Sequence, residues 1–239
     1  MPRLLVHRRA PSAGAVTLVA ALREAGVNAY KMSRDPRRRR ADDVVIGWGD
    51  YYPWFEGKAL NNVPVINKLQ EVTTLRDAGV ATVEYSLTPQ DGWLPRVVNH
   101  HGGSDLLNPP ARPHYWTKRE EITREFRVHV WRGVSMRAGI KLPRIGTPHP
   151  WIRSYDGGWS INYGQAEAHG FRQRNRDLAK DAVRALGLDF GAVDLAERAD
   201  GSLLVLEVNR ACGLEGNTVA AYRNKIIEWL GEPVEVANE

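Results

Sequence analysis

The sequence predicts an α/β unit at the N-terminus followed by an α+β segment built on antiparallel sheets. Two observations carry this. Strand-like and helix-like patterns alternate over residues 1–85, the mark of an open α/β sheet. Beyond that the texture changes to paired apolar runs around short turns, read as hairpins, between isolated amphipathic helices.

In order along the chain, Arg3–His7 reads as a first strand. In "GAVTLVAALREAGVNAY", Val16, Val19, Ala20, Leu22 and Ala25 fall near helical spacing and Gly26 supplies the stop. "DDVVIGWGD" is a short β-branched strand. "VPVINKLQEVTTLRDAGVATVEYS" gives a strand, a helix over Lys68–Asp77 and another strand. "LPRVVNHHGGSD" is a strand running into a Gly-Gly loop, and a proline-rich connection follows. "REFRVHVWRGVSMRAGIKLPR" is a hairpin with Arg-Gly at its turn, and "WIRSYDGGWSINYG" a second with Asp-Gly-Gly. "NRDLAKDAVRALGLD" is an amphipathic helix ended by Gly187, and "TVAAYRNKIIEWLGE" a closing helix.

Composition narrows the function classes. At 43% hydrophobic and 26% charged residues, the 239-residue chain has the make-up of a soluble globular protein with a substantial core. No apolar run approaches the roughly 18 residues of a membrane span, and the N-terminus lacks the charge-first layout of a secretory signal. Cys212 is the lone cysteine, so an internal disulfide is impossible and the chain reads as cytoplasmic. The 33 basic residues exceed the 28 acidic ones, which fits a nucleotide triphosphate or a nucleic acid, or neither. Arg37–Arg40 is the densest basic run, either a solvated loop or a polyanion contact. Seven histidines form no pair at metal-ligand spacing, so a zinc site is not expected.

The most informative stretch is "FGAVDLAERADGSLLVLEVNRACGLEGNT". Asp200-Gly201 marks a hairpin turn, and a symmetric turn there sets Asp194 opposite Glu207. Strand alternation then puts Glu207 and Asn209 on one face, while Val193, Leu195, Leu206 and Val208 take the aliphatic one. A one-residue bulge would break that pairing. Paired carboxylates repel, and three remedies exist: a shared proton, a basic partner or a divalent cation. Two carboxylates and an amide suit Mg²⁺. A face with both acids simply solvated fits the pattern as well.

This hairpin resembles the C-terminal motif of ATP-grasp proteins, in which an Asp and a Glu-x-Asn pair hold the magnesium ions of MgATP. "EFRVHVWRGVSMRAGIKLPR" resembles the family's strand pair, and "VINKLQEVTTLRDAGVATVEYS" its segment joining the N-terminal domain to the nucleotide-binding part. The similarity is to small members of phage and bacterial type, glutathione-synthetase-like and glutamate-ligase-like. It implies an α/β pre-ATP-grasp domain over 1–66 and an ATP-grasp domain over 67–239, with subdomains 67–115 and 116–239 clasping ATP between antiparallel sheets. It implies Asp194, Glu207 and Asn209 as ligands of Mg²⁺, with Mn²⁺ as a substitute. Arg96 or Lys141 would meet the phosphates, and the loop containing His101, Gly102, Gly103 and Ser104 would close over them. Adenine would lie near Tyr115 and Trp116, with Glu125 and Arg127 heading the next strand. Lys141, Arg153 and Arg210 are the candidates for stabilising transferred charge.

The chain departs from the family pattern at Arg96, where lysine is usual, and at Arg210, where a small residue or proline is usual. The implied reaction joins a carboxylate to an amine or related nucleophile through an acyl phosphate, releasing ADP and phosphate. The acceptor is open, from a small molecule to an anionic macromolecule such as tRNA or DNA. Two rivals use the same features: a metal-dependent phosphodiester-cleaving enzyme, and a nucleic-acid-associated ATP-binding protein without catalysis.

Overall fold

A computed structural model describes residues 2–34, 40–99, 104–144, 146 and 148–232. Arg37–Arg39 of the basic run, and His101, Gly102 and Gly103 of the glycine loop, lie outside the described residues. The chain divides into two compact units, residues 1–65 with 187–191 and 209–239, and residues 66–186 with 192–208.

The first unit is the α/β part. Strands β1 (Leu4–His7), β2 (Ala29–Met32), β3 (Val44–Gly47) and β4 (Ala59–Leu60) form a parallel sheet in the order β2-β1-β3-β4. Every residue of β1 and β3 is buried, as central parallel strands are when both sheet faces are covered. Helix α1 (Ala13–Glu24) starts where the Ser12 hydroxyl accepts the Ala15 N–H, and it buries Ala15, Leu18, Val19, Ala21 and Leu22. The buried face is rotated from the sequence expectation. Val16 is 58% exposed, because Leu18 and Ala15, not Val16 and Ala20, meet the sheet side.

The last helix, α5 (Asn217–Leu230), packs against α1 in this unit, although the sequence reading grouped it with the 67–239 segment. Trp48, Phe190 and Tyr222 form a buried aromatic cluster with ring centroids 5.4–5.9 Å apart. Lys58 donates to the carbonyls of Trp229 and Glu232, placing a cation on the open C-terminus of α5. Asn61, at φ 49°, is fully buried; its side-chain oxygen accepts the N–H groups of Asp189 and Phe190, and its amide donates to the Phe190 carbonyl. That knot holds residues 187–191 to the N-terminal sheet.

The second unit contains two sheets. Helix α2 (Lys68–Asp77) opens with a reciprocal capping box between Asn67 and Gln70, at the bounds the sequence predicts. The preceding "VPVI", expected as a strand, is not one, since Pro64 removes a ladder donor. Strands β5 (Tyr85–Ser86), β6 (Leu94–Arg96) and β7 (Tyr115–Thr117) make a three-stranded antiparallel sheet in the order β5-β7-β6, followed in space by the short helix α3 (Ser104–Leu107) against β6.

The larger sheet runs β10-β9-β8-β11-β12. Strands β8 (Ile122–Trp131) and β9 (Val134–Pro143) form the expected hairpin, its Arg132-Gly133 turn carrying positive φ at both positions as a two-residue hairpin turn of the I′ type requires. The register shifts by one residue between His129 and Val130. Strand β10 (Trp159–Asn162) pairs with Ile140–Pro143 of β9. The second hairpin read in "WIRSYDGGWSINYG" is therefore half wrong: the Asp-Gly-Gly turn forms, but Trp151–Ser154 is no strand, and β10 takes the edge of β9 instead. Helix α4 (Gln173–Ala185) packs on β8 and β9. Strands β11 (Phe190–Arg198) and β12 (Leu203–Asn209) complete the sheet.

Their turn corrects the sequence register. Gly201 N–H donates to the Arg198 carbonyl and Arg198 N–H to that of Ser202, with Gly201 at φ 80°. This is a three-residue turn with a glycine bulge, so Arg198 faces Ser202 and not Leu203. The symmetric turn assumed from Asp-Gly alone is displaced by one residue where the strands begin.

Candidate active site

The hairpin registers assemble the site. Pairing of Arg127 with Gly139 and Phe126 with Ile140 sets Lys141 opposite Glu125 one step further, and alternation brings Glu125, Arg127 and His129 to one face of β8. Lys141 Nζ lies 2.9 Å from Glu125 Oε2 and 3.1 Å from Asp194 Oδ2. Arg127 grips Asp194 with two parallel bonds, Nε to Oδ1 at 2.6 Å and Nη2 to Oδ2 at 2.8 Å. Arg153 donates to the Ile122 carbonyl at 2.7 Å, has its Nε 3.9 Å from Glu125 and lies over the Trp159 ring.

The second acid of the hairpin takes another base. Val205 N–H donates to the Ala81 carbonyl and Thr82 Oγ1 to the Val205 carbonyl, which draws the segment after α2 alongside β12. From the first turn of α2, Lys68 then reaches Glu207 at 3.1 Å and Glu71 at 3.4 Å, and Glu71 accepts the Val208 N–H at 2.9 Å. Four acids, Glu71, Glu125, Asp194 and Glu207, thus face four cations, Lys68, Arg127, Lys141 and Arg153.

Burial decides how these groups titrate. It opposes ionisation of Asp194, whose side chain is 3% exposed, but Arg127 and Lys141 outweigh it and hold the carboxyl well below the usual range. Burial likewise disfavours the charged forms of Lys141 and Lys68, and their acid partners reverse this and raise both. Arg127 is raised in the same way by Asp194, with Glu207 adding to it, so one guanidinium senses both hairpin acids. Burial lifts Glu71, with Lys68 and the Val208 N–H offsetting part of the rise. Of the three remedies for clustered carboxylates, the structure shows basic partners.

Lys68 and Glu71 were not singled out in the sequence, where an acid three residues after a lysine is an ordinary pattern of helix surfaces. The available signal was that Glu71 sits on the same side of α2 as buried Val72 and Leu75. Glu125, which heads β8 with Arg127, is buried, and the two take Lys141 and Asp194 as partners.

Of the remaining candidates, Arg96 and Tyr115 lie near the Lys68–Glu71 end of the cluster, where the Val98 carbonyl accepts the Lys68 N–H. Arg96 donates to Asp105 at 2.8 Å, and Asp105, on α3, also accepts the Val97 N–H. Ser104, the first residue of α3, is exposed. Tyr115 is buried beside Arg96 on the paired strand, while Trp116 alternates to the other face opposite Pro95. Asn209 ends β12. In the first unit, Arg210 donates to the carbonyls of Val63 and Pro64 at 2.6 and 2.7 Å. Among the described residues no three His, Cys, Asp or Glu side chains are grouped as a metal centre, and no helix is long and apolar enough to cross a membrane.

Comparison with known proteins places the architecture. The chain superposes over 95% of its length on the ATP-grasp ligase PsnB complexed with minimal precursor, Mg and ADP, at TM-score 0.66 and 14% identity, covering 97% of that chain. It matches the D-cycloserine synthetase DcsG at TM-score 0.63 and 16% identity, covering 95% of this chain and 99% of that one. The macrocyclase MdnC of Microcystis aeruginosa MRC, bound with precursor peptide MdnA, gives 0.61 and 11%, covering 95% and 100%. In sequence, 53 residues are 51% identical to a probable alpha-L-glutamate ligase of Parasynechococcus marenigrum, 22% of this chain and 11% of that protein. Sixty residues are 42% identical to the ribosomal protein bS6–L-glutamate ligase of Salmonella newport, 24% of this chain and 20% of the relative. The sequence matches thus span a quarter or less of those relatives' length. No family model matches the chain. The chain has the ATP-grasp fold, which the hairpin motif implied.

Proposed function

We propose that the protein is an ATP-dependent ligase that activates a carboxylate as an acyl phosphate and transfers it to an amine, releasing ADP and phosphate. The observation that carries this is the buried charge cluster on β8, β9, β11 and β12, set in an ATP-grasp fold. Asp194, Glu207 and the end-of-strand Asn209 offer hard oxygen donors to Mg²⁺ or Mn²⁺. With only two carboxylates and an amide, the remaining positions fall to water and phosphate oxygens, as Mg²⁺ prefers. A bound Mg²⁺ supplies charge neutralisation and a template for the phosphates.

The bases that neutralise the acids in this state are the ones an incoming triphosphate needs. Arg127 and Lys141, which hold Asp194, are the basic groups that would face phosphate oxygens if a cation were held by that carboxylate. Lys141 and Arg153 then stabilise charge on the transferred γ-phosphoryl by position and electrostatics, with no protein nucleophile. Arg96 and Ser104 border the glycine loop proposed to cover the phosphates, and Tyr115 with Trp116 the adenine. Arg210, which donates to the Val63 and Pro64 carbonyls, would exchange those bonds to reach an anion.

The names of the matched proteins speak of glutamate ligation, a ribosomal protein, precursor peptides and cycloserine. They direct the acceptor toward amino acids and polypeptides, not toward tRNA or DNA, and they favour ligation over phosphodiester cleavage. The test is ADP release from ATP and Mg²⁺ across a panel of carboxylates and amines, alongside D194N and E207Q. Loss of turnover in both variants, with binding of ATP in the absence of metal retained, is the expected result. Undiminished turnover in both overturns the metal assignment.

A further inference from the structure

The open edge of β9 carries a second binding feature. Strand β10 pairs with β9 only from Ile140 to Pro143, whereas β8 accompanies β9 from Val134 onward. Val134–Gly139 therefore has no strand on its other side among the described residues, and its alternate backbone N–H and C=O groups point away from β8. Against that edge lies a groove of about 280 Å³ lined by Ser135, Met136, Arg137, Ala138, Tyr163, Glu167 and Arg176.

The charge in this groove is incompletely matched. Arg176 is engaged by Glu167 at 2.7 Å and lies over Phe171. Arg137 is stacked on the Tyr163 ring at 4.6 Å, its Nε is buried without a hydrogen-bond partner, and it forms no ion pair with a described residue. A stacked guanidinium presents its fork with little further loss of freedom. Two arginines against one glutamate leave one positive charge beside an unpaired strand edge.

We propose that this edge takes an extended acidic peptide segment, which adds as a strand to Val134–Gly139 and places a carboxylate side chain on Arg137. Backbone bonds supply affinity and the arginine the side-chain preference. The site stands apart from the ligase reading, since binding is measured without ATP.

The probe is fluorescein-labelled hexaglutamate, followed by anisotropy with the full chain. Expected are saturable binding, at least tenfold weakening in R137A, and the same loss for a hexaglutamate N-methylated at every amide, which has no N–H to donate to a ladder. R184A, on the exposed side of α4, should bind as the parent does, and ATP binding should be unchanged in R137A. The proposal is overturned if hexaglutamate fails to bind, if R137A binds undiminished, or if R184A loses as much. Equal binding of the N-methylated peptide, or competition by free glutarate at the same concentration, would reduce the site to a carboxylate pocket and overturn strand addition.

Discussion

Asp194→Asn removes one negative charge from a buried part of the cluster while keeping size and shape. The parent carboxylate receives two short bonds from Arg127 and one contact from Lys141, and its side chain is 3% exposed. After substitution Lys141 retains Glu125 at 2.9 Å, but Arg127 keeps only the more distant field of Glu207. Leaving a buried guanidinium without its acid costs about 3–5 kcal/mol, far more than the intact pair contributes over an apolar replacement. The folded-state carboxyl titrates below its unfolded value, so its contribution is complete above about pH 4 and is lost as pH falls below that. D194N should therefore be about 3–5 kcal/mol less stable than the parent at pH 7, and the gap should narrow as the pH drops below 4. Urea unfolding followed by tryptophan fluorescence at both pH values reads this. The companion R127M/D194N should recover part of the loss, because no unpaired charge remains. A D194N variant within 1 kcal/mol of the parent at pH 7, or a double variant weaker than both singles, refutes the electrostatic account.

His129 is fully buried, its Nε2 2.8 Å from the Tyr163 hydroxyl, and burial together with Arg127 pushes its pKa down to about 3. The unfolded histidine takes a proton near 6.5, so the neutral ring stabilises the fold fully above that and progressively less toward pH 3. H129Q should lose less stability than the parent between pH 6.5 and 4.5, by about 2–3 kcal/mol; parallel urea curves would contradict this. N61A deletes three hydrogen bonds to residues 189–190 from a fully buried position and should cost about 2–4 kcal/mol in thermal or urea unfolding. G139A would bring a Cβ to 2.5 Å from Ile161 Cγ2 and 2.9 Å from Tyr163 Cδ1, costing about 1–3 kcal/mol, with the I161A background relieving part of it.

Local rules reached far into this molecule. The alternation of short apolar runs with an amphipathic helix announced the parallel sheet, the Asn67–Gln70 box fixed the start of α2, and Arg132-Gly133 set the turn of the β8–β9 hairpin, although Glu125 faces Lys141 only through the register shift between His129 and Val130, which no local pattern announced. The Asp194 and Glu-x-Asn pattern pointed to the cluster because acids on otherwise apolar strands demand a partner. These signals are legible because they depend on neighbours a few residues apart, through periodicity, caps and turn dihedrals.

What the tertiary structure decided were the partners. Nothing near Lys68 in sequence says that it reaches Glu207; that follows from pairing of Val205 with the segment after α2. Asp-Gly signalled a turn, yet whether Gly201 adds a bulge depends on how the two strands meet the rest of the sheet. Val16 and the segment at Trp151–Ser154 failed for the same reason, since the buried side of α1 and the strand that claims the edge of β9 are set by what packs across from them. Sequence thus determined which groups needed neutralising and on which elements they ride. The fold alone chose the charges that do it, because Coulomb interactions follow distance in space and not along the chain.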